Sequence, residues 1–74
     1  MNLDVERLHK ENLSIPAWTL LSYFVMQIEE QGYAIKPEDE SWWNALDELT
    51  MKGICKVHGR NIRIDPKLVM KDEL

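Results

Sequence analysis

The chain has 74 residues, 45% of them apolar, and a net charge of −4, so we expect one small domain, residues 1–74, held together by an apolar core. The charge is uneven: residues 1–50 carry three basic and ten acidic side chains, a net of −7, whereas residues 51–74 carry six basic and three acidic ones, a net of +3. This pattern excludes a uniformly basic nucleic-acid binder and leaves a basic end on an acidic body.

Two helices are predicted in the first half of the chain. Asn2 is a suitable N-cap for a helix running to about residue 12. Ser14 as an N-cap, Pro16 in the first turn and Gly32 as a stop predict a second, central helix over residues 14–31. We interpret its aromatic-rich apolar stripe as core packing; of the other roles for it, self-association as a homodimer is favoured, because Tyr23 and Met26 exceed what a one-sided core face needs.

A short strand and a third helix come next. Tyr33, Ala34 and Ile35 predict the strand, and Pro37 opens the helix, which ends before Gly53. The inward face of this helix follows an i, i+4, i+7 spacing through Trp42, Leu46 and Leu49.

After Gly53 the apolar period changes from 3.6 to 2, which predicts a β-hairpin. Its two-residue loop is Gly59-Arg60, with glycine first as a type II′ turn prefers. Opposing His58 with Asn61 puts Cys55 against Ile64 and Val57 against Ile62 on an apolar face, while Lys56 meets Arg63 on a basic face.

The last segment is predicted to be a short C-terminal helix, with Asp65-Pro66 capping a turn through Leu68, Val69 and Met70. Residues 71–74 match an endoplasmic-reticulum retrieval signal, and we interpret this as coincidence because no secretory signal begins the sequence. The longest apolar stretch is too short to cross a bilayer, and a lone thiol suits a reducing compartment, so the expected location is the cytoplasm.

Residues 42–64, WWNALDELTMKGICKVHGRNIRI, place a helix with an apolar seam before a tight hairpin with a basic outer face. This order resembles the recognition helix and wing of winged helix-turn-helix domains. The resemblance implies a small α+β winged-helix-like fold: three helices followed by a two-stranded antiparallel hairpin, with the third strand and the short C-terminal helix added to it.

The first functional hypothesis is a non-catalytic, protein-binding regulator or inhibitor of the phage or plasmid type, acting on host regulatory, polymerase or defence machinery. The would-be recognition helix presents acidic side chains that repel phosphates, which favours a protein partner over a DNA groove. The residues predicted to bind that partner are Trp43, Asn44, Asp47 and Glu48. The sequence leaves open whether Trp43 is exposed or part of the core.

The alternative hypothesis is a DNA-binding transcription regulator that uses its wing, as a monomer or a dimer. The residues predicted to contact DNA are Lys52, Lys56, His58, Arg60, Arg63 and Lys67. Catalysis is not expected, because the hairpin register puts Cys55 and His58 on opposite faces, and we expect neither a cofactor nor a metal site.

Overall fold

The computed structural model of this chain, which describes residues 1–70, consists of helices and antiparallel strands. In chain order they are β1 (Asn2–Leu3), α1 (Val5–His9), α2 (Ile15–Gln31), β2 (Ala34–Ile35), a 3₁₀ turn (Glu40–Trp42), α3 (Trp43–Met51), β3 (Cys55–His58), β4 (Asn61–Ile64), a second 3₁₀ turn (Pro66–Leu68) and β5 (Val69–Met70). The predicted α+β class is confirmed. The terminal tetrapeptide that matches a retrieval signal lies outside the described residues.

The central helix α2 has the ends that its sequence predicts. The Ser14 hydroxyl accepts a hydrogen bond from the Ala17 N–H at 3.2 Å, and Gly32 closes the helix in the left-handed region at φ 88°. The buried side of α2 is formed by Ala17, Leu20, Leu21 and Phe24. No helix among residues 1–70 is long and apolar enough to cross a membrane.

A three-stranded antiparallel sheet, in the order β2-β4-β3, lies against the helices. The predicted hairpin register is confirmed at all four pairs, from Cys55↔Ile64 to His58↔Asn61, and Gly59 takes the positive φ of 62° that the turn requires. The predicted third strand is also present: Ala34 and Ile35 pair with β4. On the outer edge of β2, the Ile35 N–H donates to the Gln27 side chain of α2 at 3.1 Å, which occupies this edge donor.

The core lies where α2 and α3 pack against the sheet. Its most deeply buried large side chains are Leu8, Leu20, Leu21, Phe24, Leu49, Ile54 and Cys55. Cys55 is therefore a small buried apolar residue, as predicted. Val57 shares the face of β3 that carries Cys55 but is 40% exposed, whereas Ile62 and Ile64 opposite them on β4 are buried.

The prediction for the N-terminus is wrong in its boundaries. Helix α1 is only five residues long, and Asp4, not Asn2, caps it by accepting from the Arg7 N–H at 3.2 Å. Asn2 and Leu3 instead form β1, which pairs with β5. A pairing between the two ends of the chain has no local sequence pattern, and the helical spacing of residues 2–12 concealed it.

Two other helix boundaries also differ from the prediction. The segment after Pro37 begins with the 3₁₀ turn that Asp39 caps, and the α-helix starts only at Trp43. At the C-terminus, Asp65 caps a turn as predicted, but it is a single 3₁₀ turn, because Val69 and Met70 are drawn into the strand pairing with β1.

Candidate functional site

Trp43 stands at the first turn of α3 with 44% of its surface exposed, so the structure places it outside the core. Its indole N–H donates to the Pro37 carbonyl at 3.3 Å, and the Lys36 ammonium lies 5.8 Å from the ring centroid. The 3₁₀ turn that Asp39 caps lies between Pro37 and Trp43 in the chain, and the indole contacts residues 36–37 across it. The ring is therefore held in place while much of its surface faces solvent.

Two shallow hollows meet at Trp43 and Lys36. The larger, of about 530 Å³, is completed by Ile35, Pro37, Glu38, Arg60 and Asn61. The smaller, of about 310 Å³, is completed by Leu46, Asp47, Thr50 and Val57. We call the two hollows and the indole between them the Trp43 surface. It combines apolar lining residues with charged ones of both signs: Lys36 borders both hollows, and each hollow has one carboxylate. This is the composition of a polar-rimmed binding surface.

Glu48, predicted to face a partner, bonds to another part of the chain. Its carboxylate accepts the Ser14 hydroxyl at 2.7 Å and the Ser14 backbone N–H at 2.8 Å. These hydrogen bonds, first from the hydroxyl and then from the backbone, lower the pKa of Glu48 against a smaller opposing effect of desolvation, and the charge of Lys52 adds to them. Asn44 and Asp47 remain exposed on α3, with Asp47 lining the smaller hollow.

Lys52 has a similar structural role. Its ammonium donates to the carbonyl oxygens of Glu11 and Asn12, and it lies 3.8 Å from the Glu48 carboxylate. The Ser14–Glu48–Lys52 cluster thus joins the loop between α1 and α2 to the last turns of α3. The sequence shows the i, i+4 spacing of Glu48 and Lys52, but the loop that both residues bind is distant in the sequence, at residues 11–14.

The hairpin carries the other predicted set. Lys56 and Arg63 are directly opposed on its exposed face, His58 is next along β3, and Arg60 occupies the turn. Within residues 1–70, no acidic side chain forms an ion pair with any of them. Lys67 is exposed but follows the other end of β4, in the second 3₁₀ turn, so it does not join the hairpin tip.

The Cys55 thiol and the His58 ring do not meet, since they lie on opposite faces of β3, one buried and one exposed. Burial raises the pKa of Cys55 to about 12, so the thiol stays protonated at neutral pH. Among the described residues, no group of three or more His, Cys, Asp or Glu side chains is placed to hold a metal ion.

In comparisons with known proteins, no family model, curated protein or solved structure matches this chain.

Proposed function

We propose that this chain is a non-catalytic, protein-binding regulator on a winged-helix-like scaffold, and that it binds its partner through the Trp43 surface. The observation that carries the proposal is the state of the indole, which is half-exposed yet fixed by a hydrogen bond and a cation–π contact. Aromatic residues that are held rigid before binding lose little entropy in the complex, and tryptophan is among the residue types most enriched in the few that dominate binding energy.

Strand order supports the winged-helix part of the proposal. A helix, a short strand, a helix and a hairpin follow in that order, and the second hairpin strand, β4, is central and pairs with the earlier strand β2. In this interpretation α2 is the first helix, α3 is the recognition helix and β3–β4 is the wing. The helix that normally precedes a recognition helix is reduced to the 3₁₀ turn Glu40–Trp42.

Charge supports a protein partner over a DNA groove. The exposed part of α3 presents Asp47, and the segment leading into it presents Glu38 and Glu40, with no ion pair to any of the three among residues 1–70. A helix approaching DNA with these carboxylates meets phosphate repulsion. A protein surface with a cationic rim is compatible with them.

The test is affinity capture from the native cell, with nuclease added so that nucleic acid cannot bridge the proteins. We expect one protein to be retained in stoichiometric amount by the wild-type chain and lost with Trp43→Ala and with Asp47→Lys. Met51→Ala is the matched control, because Met51 is 87% exposed on the same helix but does not line either hollow. Equal retention by the wild type and Trp43→Ala would refute the proposal.

A second candidate function is DNA binding through the wing, and one observation favours it. Lys56 and Arg63 lie directly opposite each other, an arrangement that destabilises a hairpin unless an anion neutralises it. The double variant Lys56→Glu/Arg63→Glu should then abolish binding to duplex DNA, and wild-type affinity should fall steeply with salt. If no duplex shifts the wild-type chain at low salt, this candidate is eliminated.

A further inference from the structure

The backbone of β4 shows which residue of the hairpin faces the outer edge of the sheet. The Arg60 carbonyl accepts from the Lys36 N–H at 2.8 Å, so Ile62, two residues further on, also bonds towards β2. Val57 is directly opposite Ile62 on β3. Because Ile62 bonds away from β3, this pair is a non-hydrogen-bonded one, and the N–H and C=O of Val57 point away from β4, to the outer edge.

The two edges of the sheet differ in how their outward backbone groups are used. On the β2 edge, the Ile35 N–H donates to the Gln27 side chain. On the β3 edge, no hydrogen bond within residues 1–70 involves the Val57 N–H or C=O. Cys55, whose backbone points the same way, is buried, whereas Val57 is 40% exposed, so this edge is open beside the hairpin turn. An open edge of this kind accepts a strand from another chain.

We propose that the β3 edge, which we define as residues 56–58, binds an extended segment of the partner protein in which apolar and acidic residues alternate. Added as an antiparallel strand, the segment sets one residue opposite Val57, bonded to its N–H and C=O, and the two neighbours of that residue opposite Lys56 and His58. The residue opposite Val57 is the apolar one, because Val57 lines the smaller hollow together with Leu46. The inference rests on the proposed function, since this hollow is part of the Trp43 surface.

The basic face of the hairpin selects the acidic residues of the segment. Lys56 and His58 lie on this face with Arg63, and no residue of β2, β3 or β4 is acidic. Carboxylates opposite Lys56 and His58 relieve the repulsion between Lys56 and Arg63. A second copy of β3 would set Lys56 opposite His58 and supply no negative charge. On the other side of the sheet, the hollow already has one charge of each sign, Lys36 and Asp47.

Hydrogen exchange of the full, ¹⁵N-labelled chain, followed by NMR, tests the proposal with three blocked ten-residue peptides that alternate valine with glutamate, glutamine or lysine. In the free chain the Val57 amide should exchange fast, whereas the amides of Lys56 and His58, which bond to β4, should exchange slowly. The valine–glutamate peptide at saturation should slow Val57 exchange at least about tenfold. The glutamine peptide should bind at least about tenfold more weakly, and the lysine peptide should not bind.

Variants of the edge separate the backbone contact from the charges. Val57→Pro removes the outward N–H without breaking a bond to β4, and Val57→Thr is the matched control that keeps it. We expect Val57→Pro to weaken the glutamate peptide at least about tenfold and Val57→Thr to change its affinity less than about twofold. Lys56→Glu/His58→Glu should reverse the preference towards the lysine peptide. Circular dichroism verifies that each variant is folded.

Three results would overturn the proposal. One is a Val57 amide that exchanges slowly in the free chain, and another is equal binding of the glutamate peptide by folded Val57→Pro. The third is a glutamate peptide that shifts the Lys56 and Arg63 resonances without slowing Val57 exchange, since the contact would then depend on charge alone. If duplex DNA perturbs the hairpin and no peptide does, the wing binds nucleic acid and the inference is wrong.

Capture of the native partner distinguishes this inference from the proposed function. In the nuclease-treated experiment, we expect the retained protein to be lost with Asp47→Lys and also with Lys56→Glu/Arg63→Glu. Loss with Asp47→Lys alone would overturn the edge contact and leave the proposed function intact. Slow exchange of Val57 in the glutamate peptide complex, together with equal capture by the wild type and Trp43→Ala, would refute the proposed function and support the edge contact.

Discussion

Replacing Ser14 by alanine tests whether the link between α2 and α3 stabilises the fold. The Ser14 hydroxyl has two roles: it accepts from the Ala17 N–H as the N-cap of α2 and donates to Glu48 on α3. The alanine variant loses both, but its backbone N–H can still donate to Glu48. The change therefore removes the cap and weakens the link without altering the core.

The expected cost follows from the geometry. Losing a serine N-cap costs about 0.5–2 kcal/mol of unfolding free energy, and because the same hydroxyl also donates to Glu48 we expect the upper part of that range, about 1–2 kcal/mol. For a domain of this size, that corresponds to a fall in Tm of roughly 4–16 °C. Ser14→Gly separates the two roles. Glycine alone costs a cap only a few tenths of a kcal/mol, so a larger loss in this variant measures the bond to Glu48.

Urea denaturation followed by circular dichroism at several pH values is the assay. Because the folded-state pKa of Glu48 lies below its ordinary value of 4.5, its contribution to stability is present above about pH 4.5 and is lost as the pH falls through the folded pKa. Ser14→Ala should therefore flatten the acid side of the stability curve, and Glu48→Gln should flatten it as well. If the unfolding free energy of Ser14→Ala runs parallel to that of the wild type down to pH 3, the Ser14–Glu48 hydrogen bond does not stabilise the fold in this way.

Three further predictions concern the rest of the scaffold. Lys52→Met should lower the unfolding free energy by about 0.5–1 kcal/mol in thermal denaturation, since the carbonyl oxygens of residues 11 and 12 lose their donor; Lys56→Met, which breaks no internal bond, is the control and should not destabilise. The Cys55 thiol, with its pKa raised to about 12, should resist alkylation by iodoacetamide at pH 8 and react only after urea is added; rapid labelling of the folded protein would contradict its burial. Gly59→Ala should cost about 1–2 kcal/mol, because φ at this position is 62° and a side chain is strained there; an unchanged Tm would show that the turn takes another form.

The features predicted correctly from the sequence are those that depend on neighbouring residues. The Ser14 cap and the Gly32 stop bound α2, and Gly59 with the alternation around it determines the hairpin register. The two strands that the prediction missed, β1 and β5, depend on residues far apart in the chain. The β1–β5 pair joins the two ends of the described chain, and Leu3 shows no sign locally that Val69 will be its partner.

The candidate sites show the same division. That Asp47 is exposed and Cys55 is buried follows from helix and strand periodicity. The contacts of Glu48 and Lys52 do not follow from periodicity, because both residues bind a loop more than 30 residues earlier in the chain. Charged side chains that resemble a binding surface in the sequence can thus form hydrogen bonds within the fold instead. Only the folded structure distinguishes a binding role from this structural role.

The two candidate functions also share a residue, and this restricts which variants can distinguish them. Arg60 occupies the hairpin turn and also lines the larger hollow beside Trp43. Loss of function on replacing Arg60 is therefore expected whether the partner is a protein at the Trp43 surface or DNA on the wing. Lys56 and Arg63 line neither hollow, whereas Asp47 lines the smaller hollow and belongs to α3, not to the hairpin. A chain that loses its partner with Asp47→Lys but keeps it with Lys56→Glu/Arg63→Glu binds a protein, and the reverse result assigns the wing to nucleic acid.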